Sequence, residues 1–142
     1  MALCLYRRAR GDRVSPRPDL VKKTITPDLL LDAHAAPLQF GFYEKQPFPS
    51  AYRQGAFIAE HDSWNRRVRT GYQVVFVPFR DGSPVGKPVS FFSGFVPDAA
   101  GGNVYGRMVG VAVAADGSLL VSDDAGEIIW RVFYSGDSRQ TE

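Results

Sequence analysis

The chain has 142 residues, of which 44% are hydrophobic and 13% aromatic, and its formal net charge is +2. This composition is too apolar for an intrinsically disordered protein, and 14 glycines and 10 prolines are too many for a helical bundle. The single cysteine, Cys4, excludes an internal disulfide and a metal cage built from cysteines.

The first 28 residues predict an irregular basic segment. Arginines alternate there with glycine and prolines, and only residues 27–31 could form a single helical turn. A basic arm can bind nucleic acid or an anionic membrane, but aspartates dilute the charge of this one. We therefore expect a solvated segment and no nucleic-acid partner. The short apolar stretch around Cys4 precedes its arginines, which is the wrong order for a secretory signal peptide, and no run is long enough to span a membrane.

From residue 36 onwards the pattern predicts short antiparallel strands separated by turns. The apolar or aromatic runs are residues 40–43, 56–59, 72–79, 89–92, 109–114, 118–121 and 127–134. Asp81 and Gly82 predict a tight hairpin, because both residue types accept the positive φ that such a turn requires. Residues 135–142 are polar and predict a tail.

The strands form two similar groups. Residues 55–62 align with residues 117–124 at an offset of 62, and each copy is followed by a stronger apolar strand. A repeat of about four strands is typical of β-propeller blades. We expect two blades, at about 36–95 and 104–134, within one domain at 29–134, and we expect strands 74–77 and 128–132 to be well covered. A single sandwich of two similar hairpins is the alternative.

Five separated stretches resemble one family. They are residues 34–38, 56–66, 71–79, 106–113 and 117–126. In this order they resemble the C-terminal part of the sorbosone dehydrogenase family, relatives of the soluble quinone-dependent glucose and aldose dehydrogenases. The resemblance runs from about residue 19 to residue 134, and it implies an all-β, six-bladed propeller of which this chain would supply the last two blades. The family usually has glycine at the position of Asp62, which predicts a positive φ there.

The resemblance also implies a chemistry. Members hold pyrroloquinoline quinone (PQQ) beside a calcium ion at one end of the channel, and they oxidise sugars or sugar-derived aldehydes at C1. The family's catalytic histidine lies in an early blade with no counterpart here, and neither His34 nor His61 matches it. We therefore expect a C-terminal fragment that is inactive alone and self-associates through its bare blade faces. A non-catalytic propeller module and an inactive remnant are the alternatives. The parent family is periplasmic, and the location of this chain is not predicted.

Five residues are candidates for cofactor contacts: Arg107, Trp64, Asn65, Arg66 and His34. By the resemblance Arg107 matches a cofactor-contacting arginine, and a guanidinium suits the planar carboxylates of PQQ. Trp64 could stack on a flat polyanion while Asn65 and Arg66 donate hydrogen bonds. Each has a structural alternative: a surface position for Arg107, packing or turn capping for Trp64 and Asn65, and a purely structural histidine, which we favour for His34.

No metal site is predicted from the sequence. His61 stands between Glu60 and Asp62, but no further histidine or cysteine lies at a spacing that would complete a zinc site. Asp123 and Asp124 lack the alternating oxygen ligands of a calcium loop, and a turn built on paired acids is expected there.

Overall fold

The computed structural model describes residues 4–5, 9–10, 18–63 and 66–136. The chain divides into two compact units, residues 1–30 and 31–142. None of the helices in the described ranges is long and apolar enough to cross a membrane.

In the first unit, strand β1 (Cys4–Leu5) pairs antiparallel with β2 (Ala9–Arg10), and helix α1 spans Pro18–Lys23. The segment expected to be irregular thus contains two short strands and a six-residue helix, and the possible turn at 27–31 is not helical. The helix has recognisable end signals. Proline is favourable at a first helical position, Asp19 complements the positive end of the helix dipole, and Lys22 and Lys23 complement the negative end.

The second unit begins with an antiparallel sheet in the order β3-β4-β5, with β7 pairing on the other side of β5. Its strands are β3 (Pro37–Tyr43), β4 (Gly55–Glu60), β5 (Gln73–Arg80) and β7 (Val89–Phe92). The short strand β6 (Ser83–Pro84) pairs with the end of β5 through a two-residue turn. Asp81 and Gly82 both have positive φ, 52° and 76°, so the predicted hairpin is confirmed.

A second antiparallel sheet follows in the order β8-β9-β10. Its strands are β8 (Met108–Val113), β9 (Leu119–Asp123) and β10 (Ile128–Val132). The β8–β9 turn is closed by a hydrogen bond from the N–H of Ala114 to the C=O of Ser118, at 2.9 Å. Gly117 supplies the left-handed backbone at that turn, with a φ of 83°. No fourth strand pairs with β10 among residues 18–63 and 66–136.

The hydrophobic core draws on both sheets. Phe57 and Ala59 of β4 are fully buried together with Leu119 and Val121 of β9, which occupy the matching positions of the 62-residue repeat. The predicted burial of strand 74–77 is confirmed. The same prediction is wrong for β10: Ile128 and Ile129 are exposed, because β10 is an edge strand and nothing in the described part of the chain covers that side.

Residues 31–136 are thus an all-β arrangement of antiparallel sheets, as expected. The blade boundaries and the six-bladed closure remain predictions. Of the expected polar tail, residues 137–142 lie outside the described residues.

Candidate functional site

Three segments meet at one end of the two sheets. Strand β4 ends just before His61, β9 ends at Asp123, and Arg107 stands just before β8. Because β8 and β9 are antiparallel, the start of β8 lies beside the end of β9. The N–H of Asp124 donates to the C=O of Arg107 at 3.2 Å, so the backbone itself holds the two segments together.

The carboxylate of Asp124 lies between two nitrogen-bearing side chains. Its Oδ2 is 3.0 Å from Nε2 of His61, and its Oδ1 is 3.4 Å from Nε of Arg107. His61 is the most buried of the three, while the side chains of Arg107 and Asp124 are about half exposed. Among the described residues, the polar contacts given for the Arg107 side chain involve Nε and neither terminal nitrogen.

Asp123 fixes the backbone beneath Arg107. Its buried carboxylate accepts hydrogen bonds from the N–H of Arg107 (2.9 Å), Ala125 (3.0 Å) and Gly126 (3.1 Å), and from the indole of Trp130 (3.1 Å). Burial acts to raise the pKa of Asp123, but these hydrogen bonds outweigh it and the pKa is lowered. Asp123 therefore stabilises the turn at 124–127 and the start of β8. This agrees with the expected turn built on paired acids.

Arg66 contacts the turn that contains His34, at the same end of the first sheet. His34 lies in the turn before β3 with a φ of 67°, and its side chain is exposed. The Nη1 of Arg66 donates to the C=O of Ala33 at 2.7 Å, next to His34. The N–H of His61 donates to the C=O of Ala36 at 3.0 Å, which ties this turn to the cluster around Asp124. The other two candidates, Trp64 and Asn65, lie outside the described residues.

A buried carboxyl, Glu60, precedes His61. Its Oε2 accepts a hydrogen bond from the side-chain amide of Gln73 at 2.8 Å, and Gln73 in turn accepts one from Ser90. Burial raises the pKa of Glu60; the Gln73 hydrogen bond opposes this shift and the nearby charge of Asp32 adds to it. Glu60 is thus buried beneath the surface of this end.

The sequence reasoning missed two members of this cluster, His61 and Asp124. The 62-residue repeat could have found them, since residues that follow equivalent strands lie at the same end of the two sheets. The expectation at Asp62 is wrong, because its φ is not positive. The left-handed residues nearby are Gly71 and Tyr72. A Cβ on Gly71 would lie 2.9 Å from the carbonyl oxygen of Ala35 and 3.1 Å from that of Asp62, so the glycine is needed there.

Metal ligands are not gathered at this end. Within the described ranges, no three His, Cys, Asp or Glu side chains are arranged to hold a metal ion. The donors that this end does offer are cationic or neutral nitrogen groups, on Arg107, Arg66 and His34, and these suit an anionic ligand.

A cleft of about 950 Å³ lies at the opposite end of the first sheet. It runs beside the loop between β3 and β4 and the Asp81–Gly82 hairpin, and it is lined in part by Phe42, Phe79 and Arg80. None of the candidate residues lines it. The cleft and the Asp124 cluster are therefore separate features.

These features describe an all-β domain with a partly exposed arginine, Arg107, at the ends of its strands. Residues 21–132 match the model of the TrAA12-like family, and the chain belongs to that family.

Solved structures and one curated relative are similar to this chain. The PQQ domain of pyranose dehydrogenase from Coprinopsis cinerea is 27% identical with a TM-score of 0.61, over 80% of this chain and 30% of that one. A Trichoderma reesei protein of Carbohydrate-Active Enzymes Family AA12 is 25% identical in its iodide structure, with a TM-score of 0.61, over 74% of this chain and 26% of that one. Its calcium structure shares the fold, with a TM-score of 0.68 at 22% identity, over 84% of this chain and 30% of that one. An uncharacterized protein of Borreliella burgdorferi is 37% identical over 105 residues, which are 73% of this chain and 27% of that protein.

The chain spans roughly a quarter to a third of the length of these proteins. The expected relationship to quinone-dependent dehydrogenases is therefore supported in a coarse form: this chain is related to PQQ domains. The narrower assignment to sorbosone or glucose dehydrogenases remains a prediction.

Proposed function

We propose that this chain forms part of a PQQ-dependent dehydrogenase that oxidises a sugar or a sugar-derived aldehyde. In this proposal it contributes side chains that contact the cofactor and no catalytic base. The observation that carries the proposal is the accessible guanidinium of Arg107 at the strand ends of a TrAA12-like chain. Since the chain spans only part of its relatives, the complete reaction would need further blades.

The described residues fit the cofactor at this end. PQQ carries three carboxylates, and the terminal nitrogens of Arg107 can bind one of them in a two-pronged hydrogen-bonded pair. Arg66 and His34 would contact a second anionic edge, and the resemblance adds Trp64 and Asn65. Bound PQQ would supply a two-electron acceptor for the sugar. Calcium beside the cofactor belongs to the proposal, and no described residue is assigned to it.

Each neighbour of Arg107 would then have a defined task. Asp123 holds the backbone N–H of Arg107 and so fixes where its side chain begins. Asp124 contacts Nε and leaves the terminal nitrogens to the ligand. A guanidinium oriented before binding loses less conformational freedom when the ligand arrives, which raises affinity.

The test is a calorimetric titration with PQQ, in the presence and in the absence of calcium. It is carried out on this chain and on a protein of the relatives' full length that carries the same residues. We expect saturable binding to the longer protein and weaker binding to this chain. PQQ that binds neither protein would contradict the proposal and favour a non-catalytic module or an inactive remnant. Export of the longer protein to the periplasm is part of the same proposal, and cell fractionation tests it.

A further inference from the structure

The imidazole of His61 lies between two carboxylates. Its Nε2 is 3.0 Å from Oδ2 of Asp124, and its Nδ1 is 3.4 Å from Oδ1 of Asp62. A neutral imidazole carries a proton on only one of its two nitrogens. In either tautomer, one nitrogen without a proton therefore lies beside a carboxylate, and two acceptors oppose each other. Only a doubly protonated His61 presents an N–H group to both carboxylates.

The carboxylate of Asp124 is shared between His61 and Arg107. Its Oδ2 contacts His61, and its Oδ1 lies 3.4 Å from Nε of Arg107. While His61 is neutral, the negative charge of Asp124 offsets the positive charge of Arg107. Once His61 is protonated, the three residues hold two cations and one carboxylate, which is a net positive charge. An anion at Arg107 is therefore attracted more strongly when His61 carries its second proton.

The other charged groups at this end have hydrogen bonds that do not involve His61. The carboxyl groups of Glu60, Asp123 and Asp32 accept from an amide side chain, from backbone N–H groups and an indole, and from a threonine hydroxyl. Arg66 donates to a backbone carbonyl, and His34 is exposed. The side chain of His61 is only 17% exposed, so solvent screens its two carboxylate neighbours incompletely.

We propose that His61 takes up a proton from solvent when an anionic ligand binds at Arg107, and that Asp124 transmits this coupling. An anion that pairs with the guanidinium offsets its charge, so Asp124 can interact more strongly with a protonated His61. The effect is reciprocal, because a proton on His61 must strengthen anion binding by the same factor. The inference rests on the proposed function, in which PQQ is the anion at Arg107.

Calorimetric titration with PQQ in two buffers of different ionisation enthalpy counts the protons that bind together with the ligand. It is carried out on this chain and on a protein of the relatives' full length that carries the same residues. At pH 7 we expect uptake of a fraction of one proton for each PQQ bound. The affinity should rise from pH 8 to pH 6, the range in which histidines ordinarily change charge. The rise should not exceed about tenfold for each pH unit, the limit for one coupled proton.

Three variants identify the group that binds the proton. His61→Gln should abolish the uptake and flatten the pH dependence of the affinity. Asp124→Asn should reduce the uptake, because a neutral amide replaces the shared carboxylate, and this half-exposed position tests the coupling even if His61→Gln does not fold. His34→Gln is the matched control, since His34 is the other of the chain's 2 histidines, and it should keep the uptake whatever its affinity. Melting curves without ligand check the fold of each variant.

The outcomes separate this inference from the proposed function. PQQ that binds without proton uptake would overturn the inference and leave the proposed function standing. PQQ that binds neither protein would contradict the proposed function and the inference with it. Uptake that persists in His61→Gln, or that is lost in His34→Gln, would assign the proton to another group. Undiminished uptake in Asp124→Asn would show that Asp124 does not transmit the coupling. Either of these last two results would also overturn the inference.

Discussion

Oδ2 of Asp124 lies 3.0 Å from Nε2 of His61, and this contact joins residues that follow equivalent strands of the two sheets. The same carboxylate reaches Arg107, so one acidic side chain connects the ends of β4 and β9 with the start of β8. The contact explains why His61 belongs to the site although it does not match the family's catalytic histidine.

Substitution of Asp124 by Asn should weaken its contact with His61 while the fold persists, because a neutral amide oxygen is a weaker hydrogen-bond acceptor than a carboxylate. The carboxylate is half exposed, and exposed ion pairs contribute about 0–1 kcal/mol, so the free energy of unfolding should fall by less than about 1 kcal/mol. The Nε2 proton of His61 should exchange faster with solvent, as measured by NMR. Asp62→Asn is the control: its carboxylate is 3.4 Å from Nδ1 and should leave the Nε2 proton unchanged. Equal exchange in Asp124→Asn and wild type would contradict the assigned contact.

Arg107→Ala should weaken PQQ binding by about 1.5–3 kcal/mol, the usual value of a hydrogen bond to a charged group. The melting temperature without cofactor should hardly change, because the side chain is 42% exposed and its ion pair is long. Calorimetric titration of the full-length protein measures the affinity. Arg80→Ala, an exposed arginine at the other end of the first sheet, should bind PQQ like the wild type. If Arg107→Ala bound PQQ as tightly as the wild type does, Arg107 would be a surface arginine that does not contact the cofactor.

Asp123→Asn should destabilise the fold by about 2–3 kcal/mol. An amide nitrogen would replace one carboxylate oxygen, and the buried N–H group that donates to that oxygen would lose its acceptor. The lowered pKa of Asp123 means that its stabilising contribution is present above its usual pKa of 3.8 and is lost as the pH falls through the folded value. Urea unfolding from pH 7 to pH 2 measures both effects. If the variant lost as much stability in acid as the wild type does, Asp123 would not be the titrating group.

Glu60→Gln should raise the free energy of unfolding at pH 7, because the neutral amide avoids the cost of a buried charge. Because burial raises the pKa of Glu60 above 4.5, the folded protein binds that proton more tightly than the unfolded chain does. The carboxyl therefore costs stability as the pH rises from about 4.5 through the folded pKa. Glutamine can still accept the hydrogen bond from Gln73, and its advantage should vanish at pH 4. Thermal unfolding at the two pH values is the measurement, and a variant that is less stable at pH 7 would refute the reasoning.

The chain alone should not oxidise glucose, sorbosone or other aldoses, even with PQQ and calcium added. The resemblance places the family's catalytic histidine in a blade for which this chain has no counterpart. A dye-reduction assay measures turnover, with the full-length protein as the positive control. Turnover by the isolated chain that depends on PQQ would show that it holds its own base, and His61 would be the first residue to test.

The strand positions and the Asp81–Gly82 hairpin could be predicted because their signals are local. Alternating apolar residues and residues that accept positive φ act within a few positions of the chain. The helix Pro18–Lys23 was missed although its end signals are present, because it is short and has no buried face to give an apolar period. The repeat at an offset of 62 also correctly matched β4 with β9.

The sequence by itself thus determined the all-β class, the strand pattern and the place of Arg107 before β8. Only the tertiary structure decided that Ile129 of β10 is exposed, that Glu60 is buried, and that Asp124 meets His61 and Arg107. The physical reason is distance along the chain. His61 and Asp124 are 63 positions apart, and only the packing of one sheet against the other brings their side chains within a hydrogen bond.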